Sequence, residues 1–211
     1  FEGGERSNSI PSGATALVLS DKELKSECEN LSVKKLGTGD EILENGEKIL
    51  ALINSFSQGV RAYNCELGIP QDSVNLSLAK IKDDGTLEVE FFARSMSKDG
   101  LNRMEFEISE LAKAVGFNVI SKDRNPAWKP INDKFANDIL EELKIYKPNA
   151  RITAVHAGLE CGVLLEKKAG LSACSIGPNI HSPHSTRECC EVESALFIEK
   201  VVRGIVKKYN S

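Results

Sequence analysis

The chain has no apolar run near the roughly 18 residues that a membrane-spanning helix needs, so no membrane partner is expected. It has no excess of positive charge either, with 27 Lys and Arg against 31 Asp and Glu and a formal net charge of −4. Broad contact with a phosphate backbone requires a basic face, so nucleic acid is not an expected partner. No C-x-x-C pair is present, and the cysteines at 28, 65, 161, 174, 189 and 190 follow no disulfide framework. Cys189 and Cys190 are neighbours, whose pairing would close a strained ring. Reduced thiols in a cytoplasmic protein are therefore the expected state. Internal repeats and low-complexity stretches are also missing. The chain opens on Phe1-Glu2-Gly3-Gly4, without the pattern of a signal or transit peptide, so a processed chain or a piece of a larger one is expected.

What remains is an ordinary globular composition, 41% hydrophobic and 27% charged over 211 residues, enough for one large or two small domains. Ala14 to Leu19 reads as a short buried strand, and Asp21 onward as a short helix capped by Ser20 or Asp21. From Asp40 to Phe56, the residues Ile42, Leu43, Ile49, Leu50, Ile53 and Phe56 share a helical face, and Gly59 could end that helix. Two alternating runs, Ser73 to Ile81 and Thr86 to Ala93, flank Asp83-Asp84-Gly85, which reads as a hairpin turn. The clearest helix is Ser97 to Val115, striped by Leu101, Met104, Ile108, Leu111 and Val115 and capped by Gly116; Phe117 to Ser121 reads as a strand. The stripe is packing, not a cofactor box.

The style changes after Asp123. The two prolines of Asn125 to Pro130 predict an extended crossover. Helix (Asp133 to Ile145), strand (Arg151 to Val155), helix (Leu159 to Lys168), strand (Leu171 to Ile176), loop and helix (Glu191 to Tyr209) follow, a pattern that suggests part of a parallel-sheet α/β domain. The fold class expected is therefore α/β overall. An antiparallel sheet with helices on one face occupies residues 1–122, and a piece of an α/β domain occupies residues 123–211.

Histidine is scarce, at positions 156, 181 and 184 only. His184, in the loop beyond Ile176-Gly177-Pro178, is a candidate metal ligand, because α/β sheets place sites in loops leaving strand ends. A full set from His156, Cys161, His181 and His184 lacks any recognised ligand spacing. Arg94, at the end of its strand, is placed to hold a carboxylate by two-point contact. Glu141 and Glu142 read as a solvated helix surface. Nothing looks like the H-x-D element or the bridging Glu-Glu pair of a two-zinc peptidase.

Val155 to Gly162 resembles the HAGLECG signature of the aminoacyl-histidine dipeptidases. Ser175-Ile176-Gly177-Pro178, Pro183-His184-Ser185, Glu188 and Glu193-Ser194 are similar to that family's SIGP…PHSPDE…ES stretch. Gly3-Gly4 with Asn8-Ser9-Ile10-Pro11 resembles GG…RNAIP, Ala93-Arg94-Ser95 resembles IRS, and Pro126 to Pro130 resembles PGWQP. The order is the same from end to end. Departures fall at Ser7, Ser9, Thr186 and Arg187, which leaves the functional positions in place.

The resemblance implies the C-terminal part of a cytoplasmic zinc dipeptidase with two zinc ions, one of them bound by His184. It implies substrate contacts from Asn8 and Arg94 in a lid, and from Gly158, with Glu160 beside it. Residues 1–122 would be a lid and homodimerisation domain lacking its first part, and 123–211 the C-terminal part of the catalytic domain. The general base and the other zinc ligands would lie upstream, which leaves no catalytic residue here and predicts that this chain alone is inactive. Alternatives are a related zinc exopeptidase or amidohydrolase of other specificity, and a non-catalytic dimerisation relative.

Overall fold

The computed structural model describes residues 1–39, 41–158, 160–168, 170–183 and 185–210. Among them the protein is mixed α/β, with a curled five-stranded antiparallel sheet, a two-stranded ribbon and five helices. The sheet is built from β1 (Glu2–Gly3), β2 (Ala14–Thr15), β3 (Gly59–Asn64), β4 (Ile69–Ile81) and β5 (Leu87–Ser95). Its order is β2-β1-β4-β3, with β5 also on β4. The ribbon pairs β6 (Ile180–His181) with β7 (Cys189–Cys190). The helices are α1 (Gly46–Ser55), α2 (Lys98–Ala114), α3 (Lys134–Tyr146), α4 (Glu160–Lys167) and α5 (Val192–Asn210).

Contacts divide the chain into two compact units. One comprises Phe1–Arg61, Ser73–Ala93 and Asn102–Lys122; the other comprises Ala62–Asp72, Arg94–Leu101 and Asp123–Ser211. Strands β3, β4 and β5 and helix α2 thus contribute to both.

In the first unit the core is made by Ile49, Leu52 and Phe56 from the α1 region, Val74 and Ala79 from β4, and Met104 and Ala112 from α2. Phe56 meets Phe91 edge-on at 4.7 Å between ring centroids. The β4–β5 hairpin closes where Lys82 N donates to the Thr86 carbonyl and Gly85 N to the Lys82 carbonyl, both at 2.9 Å. Gly85 takes φ +80, the left-handed position of a three-residue hairpin loop. Gly116 ends α2 at φ +90, with Gly116 N on the Lys113 carbonyl and Phe117 N on the Ala112 carbonyl, a Schellman closure. Gly4, at φ +82, lies so close to the Ser77 carbonyl that a side chain there would collide with β4.

Several elements differ from expectation. Only Ala14–Thr15 is strand in the run to Leu19, and Leu17 is 77% exposed. Without a longer partner, the rest of that run joins no ladder. No helix follows Asp21; 22–27 is irregular, and α1 begins at Gly46. Of the residues placed on one helical face, Ile42 is therefore 72% exposed and Leu50 56%, while Leu52, outside that set, is 1% exposed. Gly59 starts β3 at φ +100 and does not cap α1, which ends at Ser55 with Phe56 as its C-cap. Phe117 to Ser121 is irregular.

The second unit is anchored by α3 against α5. Asp133 caps α3, its side chain accepting from Ala136 N at 2.9 Å. Ala136 and Ile139 on α3, and Val201 and Ile205 on α5, are buried. Gly204 permits the close approach, since a side chain there would strike Glu142. Phe135 packs edge-on against Tyr209 at 5.6 Å, and Tyr146 stacks on Phe197 at 6.3 Å. The expected strands Arg151 to Val155 and Leu171 to Ile176 are irregular. A parallel strand needs a neighbour for its N–H and C=O groups, and among the described residues neither segment has one.

Candidate functional site

In the second unit, β5 delivers Arg94 and Ser95 to the turn that opens α2. Asp72, near the start of β4, is 1% exposed and accepts a 2.6 Å hydrogen bond from the Ser95 hydroxyl. The Ser95 oxygen also accepts from Ser97 N at 2.9 Å, and Ser97 Oγ in turn accepts from Gly100 N at 3.0 Å. Ser97 is thus the N-cap of α2. A Cβ at Gly100 would collide with Ser95 Oγ and lie 2.8 Å from Asp72 Oδ1, so this turn closes only around glycine. Met96 N donates to the Gln71 carbonyl at 3.1 Å, and Trp128 N to the Ser95 carbonyl at 3.3 Å.

Arg94 is half-buried, and its Nη1 donates to the His156 carbonyl at 3.1 Å. This bond joins two of the sequence motifs, 62 residues apart. The His156 imidazole is held below its ordinary range, first by burial and then by the Arg94 charge. Asp72 and a hydrogen bond to the Pro70 carbonyl pull the other way. The balance favours neutral imidazole at physiological pH.

Gly158 is exposed two residues on, and a Cβ there meets nothing within 4 Å. Glu160 is exposed at the first position of α4. Asn8 belongs to the other unit, exposed in a turn that Ser9 N closes on the Arg6 carbonyl at 3.3 Å. His184 lies outside the described residues. The loop that bears it joins β6 to β7, where the Ser185 hydroxyl donates to the Ser182 carbonyl at 2.8 Å and Glu188 N to the Ser185 carbonyl at 3.1 Å.

Cys161 is buried on α4, and burial pushes its thiol up, as it does that of Cys174; both are poor nucleophiles for that reason. All six cysteines are free thiols. Among the described residues no three His, Cys, Asp or Glu side chains come together as a metal site, so these residues do not fit a zinc ion by themselves.

No family model matches the chain. Over 220 residues it is 26% identical to the cytosol non-specific dipeptidase of Escherichia coli K12, an alignment that covers 92% of this chain and 45% of the relative. The chain is homologous to part of that dipeptidase. The aminoacylhistidine dipeptidase of Vibrio alginolyticus shares its fold, with a TM-score of 0.63 at 22% identity over 82% of this chain and 36% of that one. The chain spans less than half the length of these dipeptidases.

Sequence reasoning misses Asp72, Ser95, Ser97 and Gly100. Asp72 directly precedes the alternating run at Ser73, where an acidic residue reads as a turn. The signal that could have found the group is the polar S-x-S-x-x-G spacing after Arg94, a helix start folded back on a strand. Ser194 stands out in the sequence only as a motif residue. It is 1% exposed, takes Asn179 N at 2.8 Å and donates to the Glu191 carbonyl at 2.6 Å, which fastens the ribbon to α5.

Proposed function

We propose that the chain is part of a longer cytoplasmic dipeptidase, acting on dipeptides and in particular those with C-terminal histidine. In this reading residues 1–122 form most of a lid through which the protein homodimerises, and residues 123–211 the C-terminal part of the catalytic domain. Asn8 and Arg94 contact the substrate from the lid, Gly158 and Glu160 line its pocket, and His184 holds one of two zinc ions. The hydrogen bond from Arg94 to the His156 carbonyl carries the reading, because it ties the lid-strand motif to the segment that ends in Gly158.

A guanidinium has five N–H donors in a fixed fork. Gripping the substrate's C-terminal carboxylate, or the oxyanion that develops on the peptide carbonyl, is compatible with holding the loop carbonyl. Gly158, open to solvent and without a Cβ, leaves room for a substrate backbone. Zinc, when bound, supplies a polarised water for attack on the peptide carbonyl. One imidazole binds zinc weakly, since such sites take three or four protein ligands, so the remaining ligands and the general base are assigned to residues outside this chain.

The test compares the purified chain with the longer protein on a dipeptide panel that includes C-terminal histidine. The chain alone is expected to show no turnover, and the longer protein turnover that a chelator abolishes. Chelator-sensitive turnover by the chain alone overturns the division of labour. Hydrolysis of acyl-amino acids without dipeptides assigns the longer protein to an amidohydrolase instead.

A further inference from the structure

The Arg94 contact raises the question of what aims it. Arg94 stands at the last turn of a strand, where a long side chain has many rotamers and the backbone is about to change direction. Two restraints converge on that point. The Ser95 hydroxyl, next in sequence, is fixed at 2.6 Å to the buried Asp72 carboxylate, and the Ser95 carbonyl takes Trp128 N at 3.3 Å. Gly100 packs against both Ser95 Oγ and Asp72, where a side chain would collide with them.

We propose that Asp72 is a positioning residue, which through Ser95 aims the Arg94 guanidinium at the His156 carbonyl and so fixes the segment His156 to Gly158. A carboxylate this buried is costly unless its hydrogen bonds are made, and such a group persists where it holds a geometry. A neutral packing residue would fill the space without orienting the hydroxyl. The charge of Asp72 also reaches His156, where it opposes that of Arg94. Among the described residues, Arg94, Asp72 and the Pro70 carbonyl act on the imidazole. The significance for substrate rests on the dipeptidase reading; the positioning itself does not, and its test uses no substrate.

The experiment is NMR on the 211-residue chain, which has only three histidines and one tryptophan to resolve. Asp72→Asn keeps the volume and one acceptor oxygen but removes the charge; Ser95→Ala keeps the charge but removes the link. In wild type the Arg94 Nη protons are expected as separate signals, because the hydrogen bond slows rotation of the guanidinium. Ser95→Ala, which removes the link, is expected to merge them. Asp72→Asn is expected to move the His156 titration midpoint down, since it removes a charge that favours imidazolium. Separate Arg94 signals in Ser95→Ala, or an unmoved His156 midpoint in Asp72→Asn, overturn the proposal. A displaced Trp128 indole signal in both variants marks general loosening and overturns it as well. If Asp72→Asn does not fold, Ser95→Ala decides alone, by whether the Arg94 signals merge.

Discussion

Asp138 shows how one carboxylate can hold two helices. It lies mostly buried on α3 and accepts from Lys134 at 2.6 Å on its own helix, and from Lys208 at 2.9 Å and Tyr209 at 2.5 Å on α5. Lys134, then Tyr209 and Lys208, hold it well below the usual carboxylate range. A depressed carboxylate adds stability above its unfolded value, about 4, and loses it only as pH falls towards the folded value. Asp138→Asn is therefore expected to lower Tm at pH 7, with the gap to wild type closing as the buffer is taken below about pH 4 in thermal scans. A gap independent of pH would show that the tie is packing alone. Gly158 makes the opposite case. With nothing within 4 Å of an added methyl, Gly158→Ala should leave Tm unchanged in the chain, yet lower kcat/KM of the longer protein by about tenfold or more if substrate backbone lies there. At this scale the sequence shows Arg94 and Gly158 as separate motifs. Their connection through the His156 carbonyl is hidden from it, because hydrogen bonds across 62 residues leave no spacing to read.

Elements are legible where local chemistry decides them. The hairpin at Asp83-Asp84-Gly85 and the stripe and Gly116 stop of α2 form as expected, since each is settled within a few residues. Elements that depend on distant partners are not legible. Arg151 to Val155 and Leu171 to Ile176 carry strand composition, but a strand exists only in a ladder. If the longer protein supplies neighbouring strands, amides of Ile152 to Val155 should exchange fast in the isolated chain and become strongly protected in the longer protein, measured by hydrogen–deuterium exchange. Equal exchange in both would remove these segments from any sheet. The ribbon β6–β7 reads as loop in the sequence, because two-residue strands have no period to detect.

At the scale of the molecule, the contact units are discontinuous in sequence, with Asn102–Lys122 in the first and Asp123–Ser211 in the second. The sequence pattern does not foretell that residues 62–72 and 94–101 also join the second unit. That follows from long strands, since β4 and β5 are long enough to take part in more than one cluster of contacts. No helix among the described residues is long and apolar enough to cross a membrane. The described residues bring no three metal-type ligands together, and in the proposed function His184 supplies a single ligand to a site completed from elsewhere. The direct test is His184→Ala in the longer protein, read as bound zinc and as dipeptide turnover in the same preparation. The account predicts less zinc per protomer and a loss of kcat of about a hundredfold or more, with the fold intact by circular dichroism. Wild-type zinc content and wild-type turnover in that variant would contradict it.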